Sequence, residues 1–152
     1  MEEAEVAMPV VLENLKRHIT SSNDFFGADQ SVAFSIDALK RITPKNASFL
    51  NVLMIGAGVT NQKGNNRILA LIALGEIASE HSKSLPQIKK ALSNSLADRN
   101  PKIRVAALKG LGQMGKNAKD MPTLNAIKRL KLDSDAEVRE AATATLEKLQ
   151  DD

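Results

Sequence analysis

The chain has 152 residues, 43% hydrophobic and 26% charged, close to the averages of soluble proteins; that excludes wholesale disorder and allows one continuous core. With no Cys there is no disulfide, thiolate nucleophile or thiolate metal site, and four Phe with no Tyr or Trp leave the core to Leu, Ile, Val, Met and Ala, which suits packed helices better than a sandwich or barrel. The net charge of +3 hides a basic centre: residues 83–131 hold twelve Lys or Arg against Asp98 and Asp120, a net of +10, and the remainder carries −7.

The first predicted helix covers about 4–19. Its opening, MEEAEVAMPVVLENLKRH, is acidic where a secretory or transit peptide would be basic, and no apolar run in the chain approaches 18 residues. No membrane segment and a cytoplasmic location are therefore expected. Val6, Met8, Val10, Val11, Leu12, Leu15 and Ile19 exceed one narrow stripe, which leaves open a dimer contact or a chain excised from a longer array; the oligomeric state is not fixed by this pattern. The polar run SSNDFFGAD at 21–29 predicts a turn, followed by a helix in QSVAFSIDALKRI at 30–42. A further helix is expected over 46–59, then a turn in TNQKGNN at 60–66, then a helix in NNRILALIALGEI at 65–77. The remaining helices are expected over 85–97, over PKIRVAALKGLGQM at 101–114, over 122–132 and over AEVREAATATLEKL at 136–149. Asn100 before Pro101 and Thr43 before Pro44 read as N-caps ahead of a first-turn proline, Ser134 with Glu137 reads as a capping box, and Pro86 and Pro122 fall in first turns.

Every second helix repeats the same anchors. Leu39, Leu74, Leu111 and Leu146 are separated by 35, 37 and 35 residues, and Ile42, Ile77, Met114 and Leu149 follow the same intervals. A period near 36 built from two helices is the signature of stacked helical repeats, here about 4–43, 44–81, 84–116 and 120–150.

ADRNPKIRVAALKGLGQMG from Ala97 to Gly115 and DSDAEVREAATATLEKL from Asp133 to Leu149 resemble the HEAT repeats, in particular the short HEAT-like repeats of the phycobilisome-lyase type. There an Asp in the turn is followed by Pro, Val, Arg and an Ala-Ala pair. The resemblance covers about residues 46–150 and implies an all-α, right-handed α-solenoid, a superhelix of about four helix-turn-helix HEAT-like repeats and eight helices in a single domain. Asn61, Asp98 and Asp133 are each followed six residues later by Arg67, Arg104 and Arg139. An acceptor in each turn and an Arg one repeat away can form a ladder along the stack, a structural device. In the first repeat the two positions are Phe26 and Val32, so the ladder stops there.

No catalytic constellation stands out. His18 and His81 lie in different repeats and read as surface residues; the iron-binding relatives that hydroxylate a modified lysine use His-Glu pairs, and here no His is followed by Glu. The glycines of MIGAGVT and KGLGQMG lie in helices and follow no strand, so Gly56, Gly58, Gly110 and Gly112 read as close-packing positions rather than phosphate loops. The expectation is a non-enzymatic scaffold with no cofactor and no metal.

A solenoid offers the row of its second helices to partners. If Ile103, Ala107, Leu111 and Met114 face the core, Lys102, Val105, Lys109, Gln113 and Lys116 face away; their equivalents are Asn65, Ile68, Ile72, Glu76 and Ser79, and in the last repeat Glu137, Glu140, Ala144, Lys148 and Asp151. The expected partner-binding residues are Arg41, Ile68, Ile72, Glu76, Lys109, Gln113 and Lys148, a mixed apolar and basic groove for an acidic or amphipathic protein or peptide segment. Two other readings compete: nucleic-acid backbone binding through the basic segment 83–131, which has no aromatic residue for base stacking, and a protein related to the chromophore lyases.

Overall fold

A computed structural model describes residues 2–20, 28–58 and 65–151. Among these residues there are eight α-helices: α1 Glu2–Ile19, α2 Ala28–Ile42, α3 Ala47–Gly58, α4 Asn66–Ile77, α5 Leu85–Ser95, α6 Pro101–Met114, α7 Met121–Leu130 and α8 Ala136–Asp151. Short 3₁₀ turns at Ala78–Glu80, Ser82–Ser84 and Gly115–Ala118 join one pair to the next. The chain is a helical solenoid. The expected turns at 21–29 and 60–66 fall largely outside the described residues, and Phe26 and Asn61 with them.

Helix starts follow from which side chain can reach the free backbone N–H groups of the first turn. Asn100 Oδ1 accepts from Lys102 N at 3.0 Å ahead of Pro101, and Asp120 Oδ1 accepts from Thr123 N at 3.0 Å ahead of Pro122. Two expected caps are corrected. The cap of α3 is Asn46, whose Oδ1 receives Ser48 N and Phe49 N at 2.9 and 3.0 Å, because Pro44 lies in the turn before the helix; Thr43 Oγ1 instead donates back to Leu39 O. The cap of α8 is Asp135, which accepts from Glu137 N and Val138 N at 3.0 and 3.2 Å, so Ser134 and Glu137 form no box.

Within each pair the first helix packs on the second, and the second helices pack closely on one another, α4 on α6 and α6 on α8, while α3 and α5 touch far less. A stack closer on one side curves toward it, which makes α4, α6 and α8 the inner face there, while between the first two repeats the two layers are about equally close. The core runs unbroken between the layers through Leu15, Ile19, Leu39, Leu53, Leu74, Leu92, Leu111, Ile127 and Leu149. Of the second repeating series, Ile77, Met114 and Leu149 are buried, whereas Ile42 is 45% exposed. Among the described residues α2 packs chiefly on α1 and α4, and Phe34 on it is 77% exposed.

The spacing of second helices differs between equivalent interfaces. A Cβ on Gly75 would collide with the backbone of Gly110, and one on Gly110 would come within 2.7 Å of Leu71 O, so α4 and α6 meet backbone to backbone. One repeat later the facing residues are Gly112 and Thr145, the Thr145 hydroxyl donates to Leu108 O at 3.1 Å, and a Cβ on Gly112 would have ordinary contacts from 3.6 Å outward. Among the expected close-packing glycines, Gly56 and Gly110 fit that role; Gly112 does not, and around Gly58 a Cβ would meet nothing within 4 Å. Gly75 was not singled out by sequence.

Candidate partner-binding face

Two sets of side chains were expected to matter, one at the edge formed by the turns inside each repeat and one along the inner face. At the turn edge Arg67 Nη1 donates to Asp98 Oδ2 at 2.7 Å and its Nε to Ala57 O at 2.9 Å, tying the end of α3 to the turn of the next repeat. Arg104 Nη2 donates to Asp133 Oδ1 at 2.7 Å, and its Nη1 to Asp98 O and Arg99 O. Arg139 makes the same backbone contacts, to Asp133 O at 2.8 Å and Ser134 O at 3.0 Å, with no carboxylate partner among the described residues. Asn61 lies outside the described residues, and Val32, at the Arg position of the first repeat, is buried in the core.

The side chains of Arg104 and Asp133 are only 12% and 10% exposed, so water screens this pair weakly. The Arg104 hydrogen bond, against the opposing effect of burial, holds Asp133 below the ordinary carboxylate pKa, aided by Asp135 N–H and by the charges of Arg104 and Arg139. Burial works to raise Asp98, but Asn100 N–H and Arg67, with Arg104 behind, outweigh it and lower the pKa. Asp120 follows the same logic: burial is overcome by Lys89, 2.6 Å away, and by Thr123. All three carboxylates are occupied in fastening repeats or capping helices. His18 and His81 are partly exposed and each hydrogen-bonds a backbone carbonyl: Nδ1 of His18 donates to Asn14 O and Nε2 of His81 to Pro44 O, each at 2.7 Å.

The inner face has a different character. In α6 only Lys102, Lys109 and Gln113 are exposed; Val105, expected on the open side, is buried because α6 is enclosed by neighbouring second helices on both flanks. Ile68 and Ile72 on α4 are half-buried, packed against the core on one side and open on the other. With Val105 and Ala106 they floor a notch of about 150 Å³, rimmed by Lys102, Lys109 and Glu137. Its origin lies in the glycines. Since α4 and α6 touch at Gly75 and Gly110, the notch opens one to two turns toward their N-termini, where Ile72 and Ala106 stand three and four residues before those contacts.

The other expected face residues are held by neighbours. Glu76 is ion-paired with Lys40, Arg41 Nε lies 3.3 Å from Asp37, and Lys148 Nζ donates to Gln113 Oε1 at 3.1 Å. Lys102 and Lys109 have no ion pair among the described residues. The structure therefore brings Ile68, Ile72 and Lys109 together at one notch, whereas Arg41, Glu76, Gln113 and Lys148 are not among the residues that line it. Lys102 and Glu137 join it, and so does Ala106, which the sequence reading passed over; its place four residues before Gly110 is the signal that marks it.

The basic segment does not form one surface. Lys102 and Lys109 face inward, Arg99 and Lys131 lie in turns at one edge, Lys116 and Lys119 lie in the connection at the other, and Lys90, Lys128 and Arg129 stand on first helices. Two more cavities are found, about 750 Å³ beside the Arg67–Asp98 pair between α3 and α5, and about 290 Å³ between α1 and α3 around Ile55. Among the described residues no three His, Asp or Glu are grouped as metal ligands, and no helix is long and apolar enough to cross a membrane.

Comparison with known proteins finds a family model described as HEAT repeats matching residues 52–147. Searches of curated proteins and of solved structures returned no match.

Proposed function

This chain belongs to the HEAT-repeat family, whose repeats generally mediate protein–protein interaction, and from that premise we propose that it is a non-enzymatic scaffold binding a segment of another protein along the inner face of α2, α4, α6 and α8. The observation that carries the proposal is the notch between α4 and α6: an apolar floor of Ile68, Ile72, Val105 and Ala106, beside two lysines that make no ion pair among the described residues. Apolar side chains left half-open inside a charged rim are what a protein interface buries at its centre. The face residues already paired, Glu76 with Lys40 and Gln113 with Lys148, would form its flank.

The test is peptide display against the folded protein, followed by affinity measurement on Ile72→Ala with Lys109→Glu. Selected peptides should lose tenfold or more in affinity, about 1.4 kcal/mol, while the circular dichroism spectrum stays helical. Peptides that retain their affinity on this variant but lose it on Lys128→Glu with Arg129→Glu would move the site to the outer helices and end the inner-face reading.

A further inference from the structure

Resting on that reading, we propose that the segment received by the notch is an acidic amphipathic helix, placing one aliphatic side chain between Ile68, Ile72 and Val105 and two carboxylates, seven residues apart, on Lys102 and Lys109.

The argument starts from the spacing of the lysines. Lys102 and Lys109 are seven residues apart on α6, which is about 10.5 Å along the axis, and two turns of helix return them to within about 20° of one line. A partner that meets both from one face needs acidic groups at the same interval. An extended strand offers same-face positions at about 6.7 and 13.5 Å, neither of which fits. A helix offers i and i+7, and its residues i+3 and i+4 project from the same face between them. That intermediate position falls over the apolar floor, where about 150 Å³ is room for a single aliphatic side chain.

Charge points the same way. Glu76, the nearest acidic residue on α4, is taken by Lys40, so it does not repel an incoming carboxylate. Glu137 at the rim lies in the first turn of α8, where the positive end of the helix dipole offsets it. Lys102 has the opposite placement: it stands in the first turn of α6, which has no acidic residue, so its charge adds to the dipole instead of compensating it. A cation in that place works against the free fold, and a partner carboxylate seated there relieves the conflict. The equivalent position one repeat later carries Glu137, as helix stability alone would favour.

The probes are monomeric designed helices of equal composition, labelled for fluorescence anisotropy: one with Glu at i and i+7 around a central Leu, one with the second Glu moved to i+5, and one with Lys in place of both Glu. The first should bind at least tenfold more tightly than the other two, and more weakly as salt is raised. On Lys102→Glu with Lys109→Glu, both exposed positions, the order should invert in favour of the lysine peptide. Lys102→Glu alone should raise the melting temperature of the free protein while weakening the first peptide. Equal binding of the shifted peptide, absence of binding by the first, or failure of the preference to invert overturns the proposal. Methyl NMR of Ile68 and Ile72 separates the two levels of inference. Display-selected peptides that shift those methyls without carrying paired acids refute the acidic helix and leave the inner face standing; peptides that shift only resonances elsewhere end both.

Discussion

Alanine at Gly75 and alanine at Gly112 should move stability in opposite directions, although the two glycines are equivalent in the repeat. At both sites Ala is the better helix former by about 1 kcal/mol. At Gly112 nothing opposes that gain, since the new methyl would sit 3.6 Å from Thr145 Cγ2 and 3.7 Å from Lys148 Cδ, ordinary van der Waals separations. At Gly75 the methyl would lie 2.5 Å from Gly110 Cα and 2.6 Å from its carbonyl carbon, and backbone inside a helix has no rotamer by which to step aside. The two helices must part, which places the cost near the upper end of overpacking, about 3 kcal/mol, for a net loss of about 2 kcal/mol. In a domain of this size that corresponds to a melting temperature lower by about 4–8 °C for Gly75→Ala, against a rise of about 2–4 °C for Gly112→Ala. Urea titration followed by far-ultraviolet circular dichroism measures both. A Gly75→Ala variant as stable as the parent would refute the backbone contact between α4 and α6, and with it the origin assigned to the notch.

Breaking the ladder at Arg104→Ala should lower stability by about 1.5–3 kcal/mol in the same titration, because it strips a charge-assisted bond from a carboxylate that is 10% exposed. In a double-mutant cycle with Asp133→Asn the two changes should be strongly non-additive, and additivity would show the pair to be independent. The lowered pKa values of Asp98, Asp120 and Asp133 carry a pH dependence with a definite sign. A carboxyl depressed in the folded state contributes stability above its unfolded value, about 3.9, and loses it as pH falls through the folded value. The urea midpoint from these groups should therefore hold between neutrality and about pH 5 and drop below pH 4, with a shallower drop in Asp98→Asn with Asp133→Asn; parallel curves would mean that other groups govern acid unfolding.

How much of this was legible beforehand varies with the range of the interaction responsible. The helices and their pairing were, because each repeat must bury the same stripe against its neighbours and a stripe repeats with the chain. The ladder was legible for the same reason: Asp98 and Arg104, then Asp133 and Arg139, recur six residues apart, and a recurring polar pair at fixed offset invites a recurring contact. Caps were legible only to within a few residues. Thr43 and Asn46 are both competent acceptors, as are Ser134 and Asp135, and the choice is made by where the turn ends relative to Pro44 or to the Asp133–Arg104 bond.

The inner face was the least legible because its shape depends on distances between helices. A helical wheel assigns α6 one open side, but a helix in the middle of a stack has neighbours on both flanks, and Val105 is buried between them. The separation of each pair of second helices rests on two residues 33 to 35 positions apart, Gly75 facing Gly110 in one interface and Gly112 facing Thr145 in the next. Periodicity shows that these positions face each other and is silent on whether both lack a side chain. Where they do, the helices touch, and the apolar pair N-terminal to that contact on α4, Ile68 and Ile72, is half-open; where Thr145 intervenes, its hydroxyl occupies the Leu108 carbonyl and the equivalent positions are Val105, buried, and Lys109, exposed. The half-open apolar pair therefore lies between α4 and α6 and not one repeat along, and that placement is the consequence of two missing methyl groups.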